Sequence, residues 1–155
     1  MKRQRMTVGA IVEIQLRDGS FTYAQILEEA LAFFSIKVDK PLGKDELYKI
    51  HEADDLYFLA VDYYVVTQGH WLKVGKLPVK EEHEVLPMTF IQDSNTGKFQ
   101  LYEPSTGEIT DSTYEECKSL ECTASWDKNH VEDRLIDHFE GKPNIWVEQL
   151  APKKI

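Results

Sequence analysis

Hydrophobic and polar positions alternate near the start of the chain. Residues 8–16 read Val-Gly-Ala-Ile-Val-Glu-Ile-Gln-Leu, with Glu13 and Gln15 separating Val12, Ile14 and Leu16. A period of two marks a strand with one buried face. Asp18-Gly19 follows, a dipeptide suited to the positive φ of a tight hairpin turn. Residues 21–27 and 31–38 are rich in aromatic and β-branched side chains and predict two further strands. A bulge or tight bend at Glu28-Glu29-Ala30 separates them. The first 38 residues therefore predict a three-stranded antiparallel meander.

Pro41-Leu42-Gly43 marks a turn, and residues 44–50 have room for one or two helical turns. Residues 56–67 are the most β-prone run, and their nearly unbroken apolar character predicts a central strand. Gln68-Gly69-His70 breaks it, residues 71–74 continue it, and residues 75–78 form a turn. A second hairpin follows Pro87. Its strands cover 88–92 and 98–102 and flank the turn Asp93-Ser94-Asn95-Thr96-Gly97. Helix signals come last. Ser112 or Thr113 caps residues 114–120, with Glu115 and Glu116 in the first turn, where the helix dipole favours carboxylates. Asp127 or Asn129 caps a helix over roughly 131–140 that Gly141 ends. Residues 145–150 read as a last strand.

Strands followed by helices predict an α+β fold. It is a mostly antiparallel sheet, built from the N-terminal meander and the second hairpin, with two C-terminal helices packed on it. A chain of 155 residues suits one domain. The expected organisation is a flexible basic tail over 1–6, a single domain over 7–150 and a short tail over 151–155.

Charge narrows the function. The net charge is −9, and Lys2, Arg3 and Arg5 lie in the tail, so residue 6 onward carries −12. Nucleic-acid binders need the opposite sign, so no nucleic-acid partner is expected. An acidic body is instead steered toward basic partners. No apolar run approaches 18 residues, so no membrane partner is expected. The basic start leads directly into an alternating pattern and does not read as a signal peptide. Cys117 and Cys122 fit no zinc or redox spacing and are expected as free thiols in a reducing cytoplasm.

Chemistry is sparse. No nucleophile–histidine motif, phosphate loop or dinucleotide fingerprint occurs. His130 and His138 stand two helical turns apart, too far to share an ion, so no metal or other cofactor is expected. The adjacent acidic pairs, such as Glu115-Glu116, do not converge on one helix face and read as solvated. Asp62 is different, because it interrupts an apolar run where a carboxylate is costly unless paired or turned to solvent. On the last helix Val131, Leu135, Ile136 and Phe139 make one apolar stripe. Glu132, Asp133, Asp137 and Glu140 fill much of the remaining surface. Arg134 has Asp137 and His138 within one turn, which suggests a local surface ion pair. Trp126, just before the helix, suits either packing on the sheet or contact with a partner. Asp62, Trp126, Glu132, Asp133, Asp137 and Glu140 are therefore the candidate partner-binding residues.

Three blocks carry a family likeness. The first is residues 8–19 with Tyr23-Ala24-Gln25-Ile26-Leu27. The second is Trp71-Leu72-Lys73-Val74-Gly75-Lys76-Leu77-Pro78 with Pro87 and Phe90. The third is Glu115-Glu116-Cys117, Leu120-Glu121, Ala124, Trp126 and His130-Val131-Glu132-Asp133-Arg134-Leu135. In order and spacing they resemble the immunity protein 26 family of bacterial polymorphic toxin systems, over roughly residues 7–140. The resemblance implies an α+β cytoplasmic protein, not an enzyme, that binds and neutralises a cognate protein toxin. A basic nuclease is the kind of toxin that an acidic inhibitor suits. Two other classes stay open. One is a small hydrolase in which Asp62, His51 and His70 meet in the fold. The other is a sugar- or peptide-binding module using Trp71, Tyr63 and Tyr64.

Overall fold

The computed structural model describes residues 3–154. Its first three strands are β1 (Ala10–Gln15), β2 (Phe21–Ile26) and β3 (Leu31–Phe34). Gly19, at φ 87°, turns the first hairpin. Asp18 Oδ1 holds that turn by accepting from the Ser20 backbone N–H at 3.0 Å. Across Glu28 and Glu29, the Leu27 N–H donates to the Ala30 carbonyl at 2.9 Å. A short helix α1 (Tyr48–Glu52) then leads to β4 (Asp55–Val61), α2 (Tyr64–Thr67) and β5 (Leu72–Lys76). The second hairpin is β6 (Thr89–Gln92) and β7 (Phe99–Tyr102), extended by β8 (Ile109–Ser112). After it come α3 (Tyr114–Cys117), β9 (Ser125–Trp126), α4 (Lys128–Glu140) and α5 (Ile145–Leu150).

The expected α+β fold is present. A six-stranded sheet has the order β5-β1-β2-β3-β4-β9, and a separate three-stranded sheet has the order β6-β7-β8. Strand pairing is antiparallel except between β4 and β9. The large sheet is buried on both faces. On one face Val12, Ile14, Ile26 and Phe33 meet Val65, Trp71, Val131 and Leu135. On the other, Ile11, Tyr23 and Phe34 lie under Leu47, Ile50 and Leu86 from the connecting segments. Two-sided burial explains why Ile11 and Val12 are apolar in succession.

Several elements differ from expectation. Residues 56–67 are not one strand. The chain leaves β4 at Asp62, whose N–H donates to the Trp126 carbonyl at 2.9 Å and whose carbonyl accepts from Val65 N–H at 3.1 Å. The β-prone Val65 and Val66 become helical because α2 buries both against the sheet. The unbroken apolar run thus records two differently buried elements, and β4 is fifth of six strands, not central. Gly75 lies within β5, where a Cβ would stand 2.4 Å from Leu47 Cδ1. Residues 145–150 form a helix instead of a strand, because Asn144 accepts from Val147 N–H at 3.0 Å and starts α5. Trp146 and Leu150, one turn apart, pack against the core. The first C-terminal helix is shorter than expected, with Thr113 as its cap. Of the two possible caps for α4 the structure uses Asp127, and Gly141 ends the helix at φ 71°.

Near both ends of the described residues, Gln4 and Lys153 are fastened by hydrogen bonds. Met1, Lys2 and Ile155 lie outside the described residues. Gln4 Nε2 donates to the carbonyls of Val66 at 2.9 Å and Trp71 at 2.8 Å, while its Oε1 accepts from Lys73 N–H at 2.9 Å. Gln92 and the Lys153 backbone exchange two bonds, at 2.8 and 2.9 Å.

One buried cation joins several of these elements. Arg134, on α4, is only 9% exposed. Its guanidinium lies 3.9 Å from the Tyr57 ring centroid and 5.1 Å from that of Trp126. Both its terminal nitrogens donate to Glu121, at 3.0 and 2.7 Å. The local surface pair expected for Arg134 is therefore replaced by a bidentate partner 13 residues upstream. Taking a charge out of water is tolerated because the fork is fully matched and stacked on aromatic faces.

Two outcomes test this packing. Glu121→Leu strands the guanidinium and should lower unfolding stability by about 3 kcal/mol, while Glu121→Leu with Arg134→Met should recover most of the loss. Urea unfolding followed by tryptophan fluorescence reads both. Asp127→Ala should cost about 1 kcal/mol at neutral pH, the usual loss of an N-cap. The Tyr64 hydroxyl, then backbone N–H groups, hold the Asp127 carboxyl below its ordinary value. Its ionised form thus stabilises the fold fully above about pH 4, and that contribution is lost as pH falls through the lower folded value. The gap between wild type and Asp127→Ala should therefore narrow in acid.

Candidate functional site

A wide cleft arises where one segment crosses between the sheets. After α3 the chain runs beside β6. Phe90 N–H donates to the Glu121 carbonyl at 3.0 Å, and Thr123 N–H donates to the Phe90 carbonyl at 2.8 Å. The Thr89 and Thr123 hydroxyls meet at 2.5 Å. Two residues later the same segment has become β9, with Ser125 beside Ala60 and Trp126 beside Val61. A strand that leaves one sheet for another opens a wedge behind it. That wedge is a cleft of about 960 Å³ between β4, the crossing segment and the rim of the second sheet.

Its walls are apolar with an acidic minority. Leu56, Leu86, Pro87, Tyr102 and Pro104 supply much of the lining. The charged lining residues are Glu28, Glu29, Asp62 and Glu121, and no lysine or arginine is among them. Glu121 is engaged by Arg134. Asp62 accepts from the Ser125 hydroxyl at 2.5 Å. Glu28 and Glu29 stand exposed at the β2–β3 hairpin tip. Tyr57 also lines the cleft; its hydroxyl is shielded and has no hydrogen-bond partner among the described residues. Burial pushes that phenol's pKa well above its ordinary value.

The candidate residues on β9 and α4 are largely engaged within the chain. Trp126 is 4% exposed and sits in the core beneath Arg134, at the wall of the cleft. Glu132 accepts from the buried Trp71 indole N–H at 2.9 Å and pairs with Lys128 at 3.0 Å. Asp133 accepts from Arg17 at 2.6 Å and from the Trp146 indole N–H at 3.1 Å. Asp137 accepts from the Asn144 amide at 2.9 Å. Glu140 is exposed and, among the described residues, pairs only with Lys142, at 3.1 Å. What reads in sequence as a solvated acidic face is thus a row of acceptors that fastens β5's approach, the first hairpin and α5 onto α4. Asp62 lies apart from this row, at the cleft, so the six candidates do not form one patch.

The hydrolase grouping does not assemble. His51 packs on Phe34, with centroids 5.8 Å apart, and its Nε2 lies 3.2 Å from Gln25 Oε1. Burial, then Lys80 and His83 nearby, hold its pKa below the ordinary value. His70 meets Tyr64, 5.5 Å away, on the opposite face of the sheet. Of the three residues Asp62 alone lines the cleft. The aromatic platform is also missing: Trp71 is 1% exposed, Tyr64 is half-buried and Tyr63 stands alone at the surface. Among the described residues, no three His, Cys, Asp or Glu side chains converge as a metal site. No described helix is long and apolar enough to cross a membrane.

Sequence reasoning missed Glu28, Glu29, Tyr57 and Glu121. The only available signal was the pair of carboxylates at a hairpin tip, which local pattern reads simply as a bend.

Comparison with known proteins gives one match. Among curated proteins and solved structures nothing matches the chain. The family profile described as Immunity protein 26 matches residues 7–101. That span holds the first two sequence blocks, the whole β1–β5 unit, Tyr57 and both hairpin-tip carboxylates. It ends before Glu121, Trp126 and Arg134, so the third block lies outside it. Covering well over half of the sequence, the match places this chain in the immunity protein 26 family.

Proposed function

We propose that this chain binds a cognate polymorphic toxin in the bacterial cytoplasm and blocks it by occupying its working surface, without catalysis of its own. The observation that carries this reading is the family match over residues 7–101. The net charge of −9 supports a basic target, such as a nuclease, because opposite fields raise the rate of encounter. The free thiols Cys117 and Cys122 suit a reducing compartment. Of the candidate carboxylates, Glu140 and Asp62 are the ones we assign to partner contact. Glu132, Asp133 and Asp137 act through the fold, holding Trp71, Trp146 and Asn144.

The test is co-expression with the toxin domain encoded beside this gene. Growth should be rescued, and the two proteins should co-elute as a stable complex. Rescue with no complex, or with the toxin covalently altered, overturns occlusion. Charge reversal separates the two kinds of carboxylate. Glu140→Lys should slow association severalfold at low salt and leave the melting temperature within a degree or two. Asp133→Lys should lower the melting temperature instead, since Arg17 and the Trp146 indole both lose their acceptor.

A further inference from the structure

We propose that the cleft side of β4 receives an extended, lysine- or arginine-bearing segment of the toxin, added as a strand in line with β9. This rests on the immunity reading above and says where the partner is held. β9 covers only Ala60 and Val61, and among the described residues no strand lies against β4 from Asp55 to Leu59 on that side. The backbone there is aimed outward. Asp62 N–H donates toward β9, and strand residues alternate sides, so Ala60 and Phe58 direct their N–H and C=O groups the same way. The β3 side agrees: Leu27 N–H donates to the Ala30 carbonyl, so by alternation Ala32, paired with Gln25, faces β2, which leaves Leu31 and Phe33 facing Leu59 and Tyr57. Among the described residues Phe58 therefore presents a donor and an acceptor with no partner at the edge of the cleft. Such an edge is the template that strand addition uses.

Charge selects the occupant. The cleft is walled by four carboxylates and no cation, and Glu28 and Glu29 at its rim have no ion-pair partner among the described residues. A positive side chain on an added strand would reach that rim, while the apolar walls take its alternate side chains. A second copy of this chain is disfavoured, because two acidic edges would repel one another.

The experiment uses the full chain and the adjacent-gene toxin domain in catalytically inactive form. Glu28→Lys with Glu29→Lys should leave the melting temperature unchanged, weaken toxin binding at least tenfold at low salt and flatten its salt dependence. In the wild-type complex, amide exchange at Phe58 should slow at least tenfold relative to the free chain. Toxin that binds with unchanged affinity to the double variant and leaves Phe58 exchange as it was overturns this site and leaves the immunity reading standing. Inactive toxin that does not bind the wild-type chain, with active toxin that still kills in its presence, overturns both. Sedimentation showing a dimer of this chain alone, with Phe58 protected in it, makes a second copy the occupant and overturns the proposal.

Discussion

The architecture depends on keeping one guanidinium out of water. Arg134 is buried on α4, and nothing but a matched fork of acceptors makes that burial tolerable. Glu121 supplies the fork, Tyr57 and Trp126 supply the faces, and the three come from the crossing segment, β4 and β9. Satisfying Arg134 therefore fixes the helix on the sheet. It also fixes the crossing segment that carries Glu121, and through Phe90 that segment positions the second sheet. The cleft is the space left over when this one charge has been accommodated.

Local pattern revealed the elements whose partners are near in sequence. The meander follows from alternation in β1 and from Asp18-Gly19, and the second hairpin follows from the turn ending in Gly97, at φ 74°. The cap and stop of α4 were legible because capping is settled within a few residues. What stayed hidden required distant partners. Val65 and Val66 favour strands in isolation, yet burial on the sheet made them helical. Residues 145–150 became a helix because Asn144 caps it and Trp146 finds His130, with rings stacked 3.8 Å apart. Arg134 was assigned the nearest carboxylates by helical spacing, and its real partner lies outside the helix.

The acidic helix shows why charge patterns mislead. Periodicity reports which residues share a face, but not what comes to meet that face. Here two indoles, an arginine and an asparagine arrive from elsewhere and take up the carboxylates one by one. Glu28 and Glu29, which have no such duties, sit at a hairpin tip, where no helical pattern would flag them. The contact proposed above thereby lies not on the feature that dominates the sequence but at an edge that only the assembled fold contains.

The parallel pairing of β4 with β9 also has a consequence for how the chain is made. Ala60 waits for Ser125, so this contact spans nearly half the polypeptide. On a ribosome, the β1–β3 hairpins close from local contacts while β9 and α4 have yet to emerge. Throughout that interval the whole of β4 is a naked edge, including the part that β9 later covers. The nascent protein thus passes through a stage more adhesive than its finished form, one that ends only when β9 and α4 have been made.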